Sequence, residues 1–197
     1  MQLYDLELSG NCYKVRLFLA FLGQAYDLRP VAFLDGEHKT EEFIARNPFG
    51  EIPVLIDGDV LLRDSQAILI YLARKYDRSD WYPTDAAGQA MVAQWLMVAE
   101  NEIARGPNDA RLHDKFGLAI DVEAARERSA RILGILDRHL STRDWLELGR
   151  PTIADIACFP YVALSHEGAV SLEPYASVRT WVDRVKGLSG FIPMPAI

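Results

Sequence analysis

The spacing of hydrophobic and polar positions changes twice along this chain. Near the start, Tyr4, Leu6 and Leu8 interleave with Asp5 and Glu7, the two-residue period of a strand with one buried face. Val15, Phe18, Leu19 and Leu22 then fall at helical intervals, and Gly23 marks the stop. Residues 26–31 predict a second strand and residues 51–63 a hairpin, with Asp57-Gly58 suited to its tight turn. Ile52-Pro53 stands where the first hairpin strand should begin. Proline's missing N–H is not needed there, and an X–Pro bond makes the cis form accessible. Leu69, Leu72, Ala73 and Tyr76 form the stripe of another helix. The order is βαβ followed by ββα, which predicts an α/β half built on a mixed four-stranded sheet.

Past Asp77 the two-residue period disappears. A linker over residues 78–86 leads into an all-α half over residues 87–197. Residues 90–103 predict one helix, closed by Gly106-Pro107, and residues 122–140 another, with Ile132, Leu133, Leu136 and Leu140 on its apolar side. Thr152 with Asp155 three residues on is an aspartate version of the capping box, so Asp155 reads as a helix starter rather than a catalytic group. Pro160 predicts a kink or break in that helix. Val178, Trp181, Val182 and Val185 mark the last stripe.

Composition narrows the function classes. With 197 residues, the chain suits one large domain or two of ~100 residues each, the first here being residues 1–77. Twenty-eight acidic against 21 basic residues give a net charge of −7, which argues against a nucleic-acid partner. No apolar run approaches the ~18 residues of a membrane span, and no signal segment opens the chain, so a cytoplasmic location without membrane contact is expected. Cys12 and Cys158 form no C-x-x-C pair, the four histidines have no ligand spacing, and no metal is expected. The Gly-rich phosphate fingerprints are missing, which removes a nucleotide-binding α/β fold.

The densest motif is Asn47-Pro48-Phe49-Gly50-Glu51-Ile52-Pro53-Val54, followed at Asp64-Ser65 by the polar start of a helix. A residue such as Ile52, with its N–H and C=O turned out of the sheet, can pair with an extended ligand backbone. NPFGEIPVLIDGD and LLRDSQAILIYLARKY, with GEHKTEEF before them and PTIADIACFPY and GFIPMPAI after, resemble the cytosolic glutathione transferases over nearly the whole chain. The resemblance implies a thioredoxin-like N-terminal half that binds glutathione as co-substrate. It also implies a helical C-terminal half that completes a site for a small apolar electrophile, and a two-fold homodimer.

Such an enzyme must ionise a thiol. A free thiol has a pKa of about 8.5 and the thiolate is the nucleophile. Lowering that pKa by two units takes roughly 2.7 kcal/mol, which one hydrogen bond to a charged acceptor (~1.5–3 kcal/mol) and a helix N-terminus (~0.3–1 kcal/mol) supply together. By resemblance the sulfur sits at the junction of the first strand and helix, where Ser9, Asn11 and Cys12 are the candidates. Ser9 resembles the serine of serine-type transferases. Ser9-x-Asn11 is similar to the Thr-x-Asn motif of disulfide-reducing members, and some bacterial classes use a cysteine near Cys12. Ser9 and Asn11 also suit plain helix capping, and Cys12 a buried position.

For the rest of glutathione, the resemblance gives Asp64 and Ser65 to the γ-glutamyl group, Ile52 and Pro53 to the cysteinyl backbone, and Lys39, with His38 as alternate, to the glycyl carboxylate. Glu51 departs from the Lys or Gln of relatives. One face of the first long C-terminal helix, with Trp95, Met97, Asn101 and Arg105, is a candidate wall for the electrophile, although Trp95 also suits the core. Conjugation leads; a glutathione-dependent disulfide reductase or peroxidase and a non-catalytic binding or regulatory module stand as alternatives.

Overall fold

The computed structural model describes residues 1–197. Four short strands, β1 (Gln2–Asp5), β2 (Asp27–Pro30), β3 (Val54–Asp57) and β4 (Val60–Arg63), form one sheet in the order β2-β1-β3-β4. β1 runs parallel to β2 and antiparallel to β3, and β3 pairs antiparallel with β4. A parallel pair needs a crossover, and α1 (Gly10–Phe21) supplies it. α3 (Ser65–Lys75) follows the hairpin with Ile68, Leu69, Leu72 and Ala73 buried. This is the thioredoxin-like arrangement. Asp57 pairs with Val60, so the hairpin loop is Gly58-Asp59, one residue later than expected, with Gly58 at φ +60°.

Two local readings need correction. In β1, Leu3 and Asp5 are the buried row, while Tyr4 and Leu6 lie partly buried against a second, smaller cluster containing Cys12, Phe43 and Val54. The phase is reversed because a charge was taken for a solvent-facing position: Asp5 turns inward and pairs with Arg16 at 2.6 Å. The second correction adds elements. A 3-10 turn (Glu37–Lys39) and α2 (Glu41–Arg46) occupy what had read as a loop. α2 buries only Phe43, so it has no periodic stripe; Thr40 caps it by accepting the Phe43 N–H at 3.3 Å.

In the C-terminal half, Gly106-Pro107 does not end a helix. α4 (Ala86–Val98) runs through a π-helical segment (Ala99–Asn108) into α5 (Asp109–Phe116). The wider turn, in which the Asp109 N–H reaches back to the Ala104 carbonyl, lets the chain pass a ring that would clash in an α-helix. Gly106 is there for contact: a Cβ on it would lie 3.1 Å from the Ser129 backbone nitrogen on α6 (Val122–Leu140).

α7 (Ile153–Ala163) is buried along its whole length and continues past Pro160 without a break. Its capping box forms, and Asp155 accepts from the Thr152 N–H at 2.9 Å, the Leu146 N–H at 3.1 Å and the Trp181 indole N–H at 2.9 Å. α8 (Ala176–Lys186) packs against α6 and α7.

One cluster of 40 buried residues spans both halves, joining Leu3, Tyr13 and Phe18 to Trp81, Leu96, Phe159 and Trp181. The Tyr13 hydroxyl donates to the Ile192 carbonyl at 2.6 Å. The first turn of α1 is therefore held against the helical half. No helix is long and apolar enough to cross a membrane.

Candidate active site

The first turn of α1 leaves backbone N–H groups without helical partners, and two side-chain oxygens meet them. Ser9, in extended geometry, accepts the Cys12 N–H on Oγ at 3.3 Å. The Tyr161 hydroxyl oxygen accepts the Asn11 N–H at 3.1 Å. Asn11 Oδ1 accepts from Lys14 Nζ at 2.8 Å. Lys14 is buried, and burial brings its ammonium down to about 8 against the opposing pull of Glu100. An ammonium only donates, so Asn11 must turn its oxygen toward Lys14 and its NH2 away from it.

Cys12 does not belong with the other two junction candidates. It is fully buried behind the helix with Phe43, Ile52 and Val54, and burial pushes its thiol up to about 12. A thiol so placed stays protonated and packs as a small hydrophobe, which corrects the expectation that it handles sulfur.

The remaining predicted residues gather at one edge of the sheet. Ile52–Pro53 is cis, and neither the N–H nor the carbonyl of Ile52 has a hydrogen-bond partner within the chain. Asn47 shapes the approach, donating to the Glu51 carbonyl at 2.7 Å and accepting the Phe49 N–H at 3.1 Å. The Glu51 side chain itself is exposed. Asp64 has φ +72° and caps α3 by accepting the Ala67 N–H at 2.9 Å. Ser65 is buried and its hydroxyl donates to Gln66 Oε1; Gln66 Nε2 in turn donates to Glu100 of the helical half at 2.6 Å. Lys39 is exposed at the end of the 3-10 turn, and His38 stacks on Phe33 at 3.7 Å.

Between the halves lies a cavity of about 340 Å³. Ser9, Asn11, Ile52, Glu51 and Tyr161 line one side; Leu6, Leu8, Phe33, Leu34, Leu112, Phe116 and Leu118 give it apolar walls. The long helix contributes Glu100, Ala104, Asn108 and Leu112, a row at intervals of four, together with Arg105. Of the four residues expected on that wall only Arg105 reaches it. Trp95 is buried and donates to Glu147 at 2.9 Å, while Met97 and Asn101 face solvent. Arg111, also on the lining, is almost fully buried. It donates to the Leu8 carbonyl at 2.9 Å and to Glu167 at 2.5 Å.

Lys14, Gln66, Glu100, Arg111 and Tyr161 escape a reading of the sequence. Tyr161 lies on a helix buried all round, where no periodicity singles it out, and Gln66 meets Glu100 across 34 positions.

The description "Glutathione S-transferase, N-terminal domain" matches residues 3–80, and "Glutathione S-transferase, C-terminal domain" matches residues 92–188. The chain is 31% identical to glutathione S-transferase 3 of Zea mays over 99% of this chain and 96% of that protein. A glutathione S-transferase structure from Pseudomonas fluorescens superimposes with a TM-score of 0.93 at 31% identity, covering 98% of both chains. A glutathione transferase from Pseudomonas putida, solved with one glutathione disulfide bound per subunit, has a TM-score of 0.85 at 29% identity, over 96% of this chain and 87% of that one. Matched along both halves in sequence and in structure, this chain belongs to the glutathione S-transferase family.

Proposed function

We propose that this protein conjugates glutathione with small apolar electrophiles. The observation that carries the proposal is the position of Ser9, a hydroxyl at a helix N-terminus opening onto a cavity with apolar walls. Ser9 donates to the glutathione sulfur, and the helix terminus favours the same negative charge. The thiol proton leaves to solvent. The sulfur lone pair then forms a C–S bond while a leaving group departs, or adds to an activated double bond that takes up a proton. The protein contributes positioning and electrostatics.

Ile52 pairs its free N–H and carbonyl with the cysteinyl backbone, as an added strand would, and Pro53 holds the turn beside it. Ser65 and the start of α3 receive the γ-glutamyl carboxylate, Ser65 exchanging its bond to Gln66 for one to ligand, and Asp64 faces the ammonium. Lys39, with His38 beside it, meets the glycyl carboxylate. Glu51 lines the cavity without an assigned contact. The proposal includes a cytoplasmic two-fold homodimer; the exposed Phe49, with the Arg63 guanidinium 4.0 Å from its ring centre, is the kind of surface a second copy would cover.

A second reading, a glutathione-dependent disulfide reductase or peroxidase, is favoured by the Asn11 NH2 that Lys14 leaves free and by the disulfide-bound relative. Wild type, Ser9→Ala and Asn11→Ala, each assayed with an aromatic chloride and with a mixed glutathione disulfide, separate the two. Conjugation lost in Ser9→Ala while glutathione still binds supports the transferase. Disulfide reduction that collapses in Asn11→Ala replaces it with the reductase. Silence in both assays with glutathione bound leaves a binding or regulatory module.

A further inference from the structure

Tyr161 brings a hydroxyl from the helical half to the first turn of α1. Its ring is only 5% exposed and lies against Gly10, where a Cβ would come within 2.5 Å of the ring. Glycine at position 10 is what leaves room for it. The oxygen accepts the Asn11 N–H, and that is the only hydrogen bond the hydroxyl makes; its own proton has no acceptor in the chain. A buried phenol ordinarily finds a partner for its O–H. This one lines the cavity beside Ser9 and Asn11. Burial raises its pKa, so it is a proton donor throughout the working range rather than a base.

Ser9 Oγ and Tyr161 Oη sit on the N–H groups of adjacent residues, Cys12 and Asn11, in one helical turn. The Gly10 N–H in the same turn has no partner within the chain. An anion placed at the mouth of the turn meets all three donors. We infer that Tyr161 is a catalytic residue that donates a second hydrogen bond to the glutathione sulfur, so that the thiolate site is completed by a group from each half of the chain. The inference rests on the reading that glutathione's sulfur lies at this turn.

The test measures the apparent pKa of enzyme-bound glutathione, from thiolate absorbance and from the pH profile of kcat/KM, in wild type, Tyr161→Phe, Ser9→Ala and the double variant. One lost hydrogen bond to a charged sulfur is expected to raise that pKa by about one unit in Tyr161→Phe. Conjugation below the wild-type pKa then falls about tenfold and recovers at high pH, and the double variant shifts further than either single one. A Tyr161→Phe enzyme that melts earlier yet keeps the wild-type pKa and pH profile overturns the inference, leaving the hydroxyl as a cap for Asn11. A shift in Tyr161→Phe with none in Ser9→Ala keeps the tyrosine and removes the serine; no shift in either removes both. Should Tyr161→Phe fail to fold, fluorotyrosine placed at position 161 decides. As a stronger donor of nearly the same shape it must lower the bound thiol pKa, and an unchanged value refutes the role.

Discussion

Replacing Arg111 by alanine severs a link between the halves directly behind Ser9. The guanidinium holds the Leu8 carbonyl at 2.9 Å and Glu167 at 2.5 Å, and its side chain is 2% exposed. Breaking a buried ion pair costs roughly 3–5 kcal/mol when the remaining charge is stranded. Glu167 is not wholly stranded: it keeps Lys115 and is 13% exposed. Its share is therefore smaller, while the unpaired Leu8 carbonyl adds ~1–3 kcal/mol.

The expected loss is about 3 kcal/mol, or a fall of ~1.5 M in the urea midpoint for an m-value of ~2 kcal/mol/M. Freeing Leu8 also loosens the residue that precedes Ser9, and a misplacement of ~1 Å costs on the order of 100-fold in rate. kcat therefore falls more than glutathione KM rises. Arg111→Lys, which reaches one of the two partners but not both, should fall between. Acid adds a second signature. Burial works to raise the Glu167 carboxyl, but hydrogen bonds from Lys115 and Arg111 outweigh it and hold the group below its usual range. A depressed carboxyl contributes stability above its unfolded pKa and loses it as pH falls through the folded value, so Arg111→Ala should blunt the acid decline. A midpoint within roughly 0.3 M of wild type and an unchanged kcat would refute this account of Arg111.

Two further outcomes follow from the same region. Because Cys12 and Cys158 are both fully buried with raised pKa values, neither should react with a thiol reagent until the protein unfolds, and Cys12→Ala should keep its activity; fast native labelling of Cys12 would contradict this. Lys14, brought down to about 8 by burial, binds a proton less readily folded than unfolded. Its contribution to stability therefore rises with pH between about 8 and 10.4, and the difference between wild-type and Lys14→Met urea midpoints across that window should show the rise; a flat difference would refute it.

Patterning along the chain reached the elements whose side chains sort cleanly by face. α6 lies where Ile132, Leu133, Leu136 and Leu140 placed it, and the Thr152–Asp155 box opens α7. It missed where burial and polarity part company. Asp5 points inward because Arg16 neutralises it, which reverses the phase of β1. α2 rests on one buried phenylalanine and leaves no period to detect. Gly106-Pro107 carries the local signature of a stop, yet contact with Ser129 and a wider helical turn keep the chain going. In the site, Ser9, Asn11, Ile52, Asp64 and Ser65 could be singled out because they lie in motifs with local geometry. The partners that act across the halves, Tyr161 on Asn11 and Arg111 on Leu8, are separated by 150 and 103 positions. No local pattern encodes such a meeting.

The π-helical segment also bears on how this cavity can change. It lies between α4, whose Val92, Trp95 and Leu96 face the core, and α5, whose Arg111 and Leu112 face the cavity. Each residue of a helix turns the chain by about 100°. Deleting one position between residues 99 and 108 would let the segment tighten to an ordinary α-helix without breaking it, while rotating everything downstream relative to everything upstream. Glu100, Ala104, Asn108 and Leu112 would lose their alignment, and a different row would face the bound electrophile. A change of one codon in length, rather than a series of substitutions, is thus a short evolutionary route from one substrate preference to another on this scaffold.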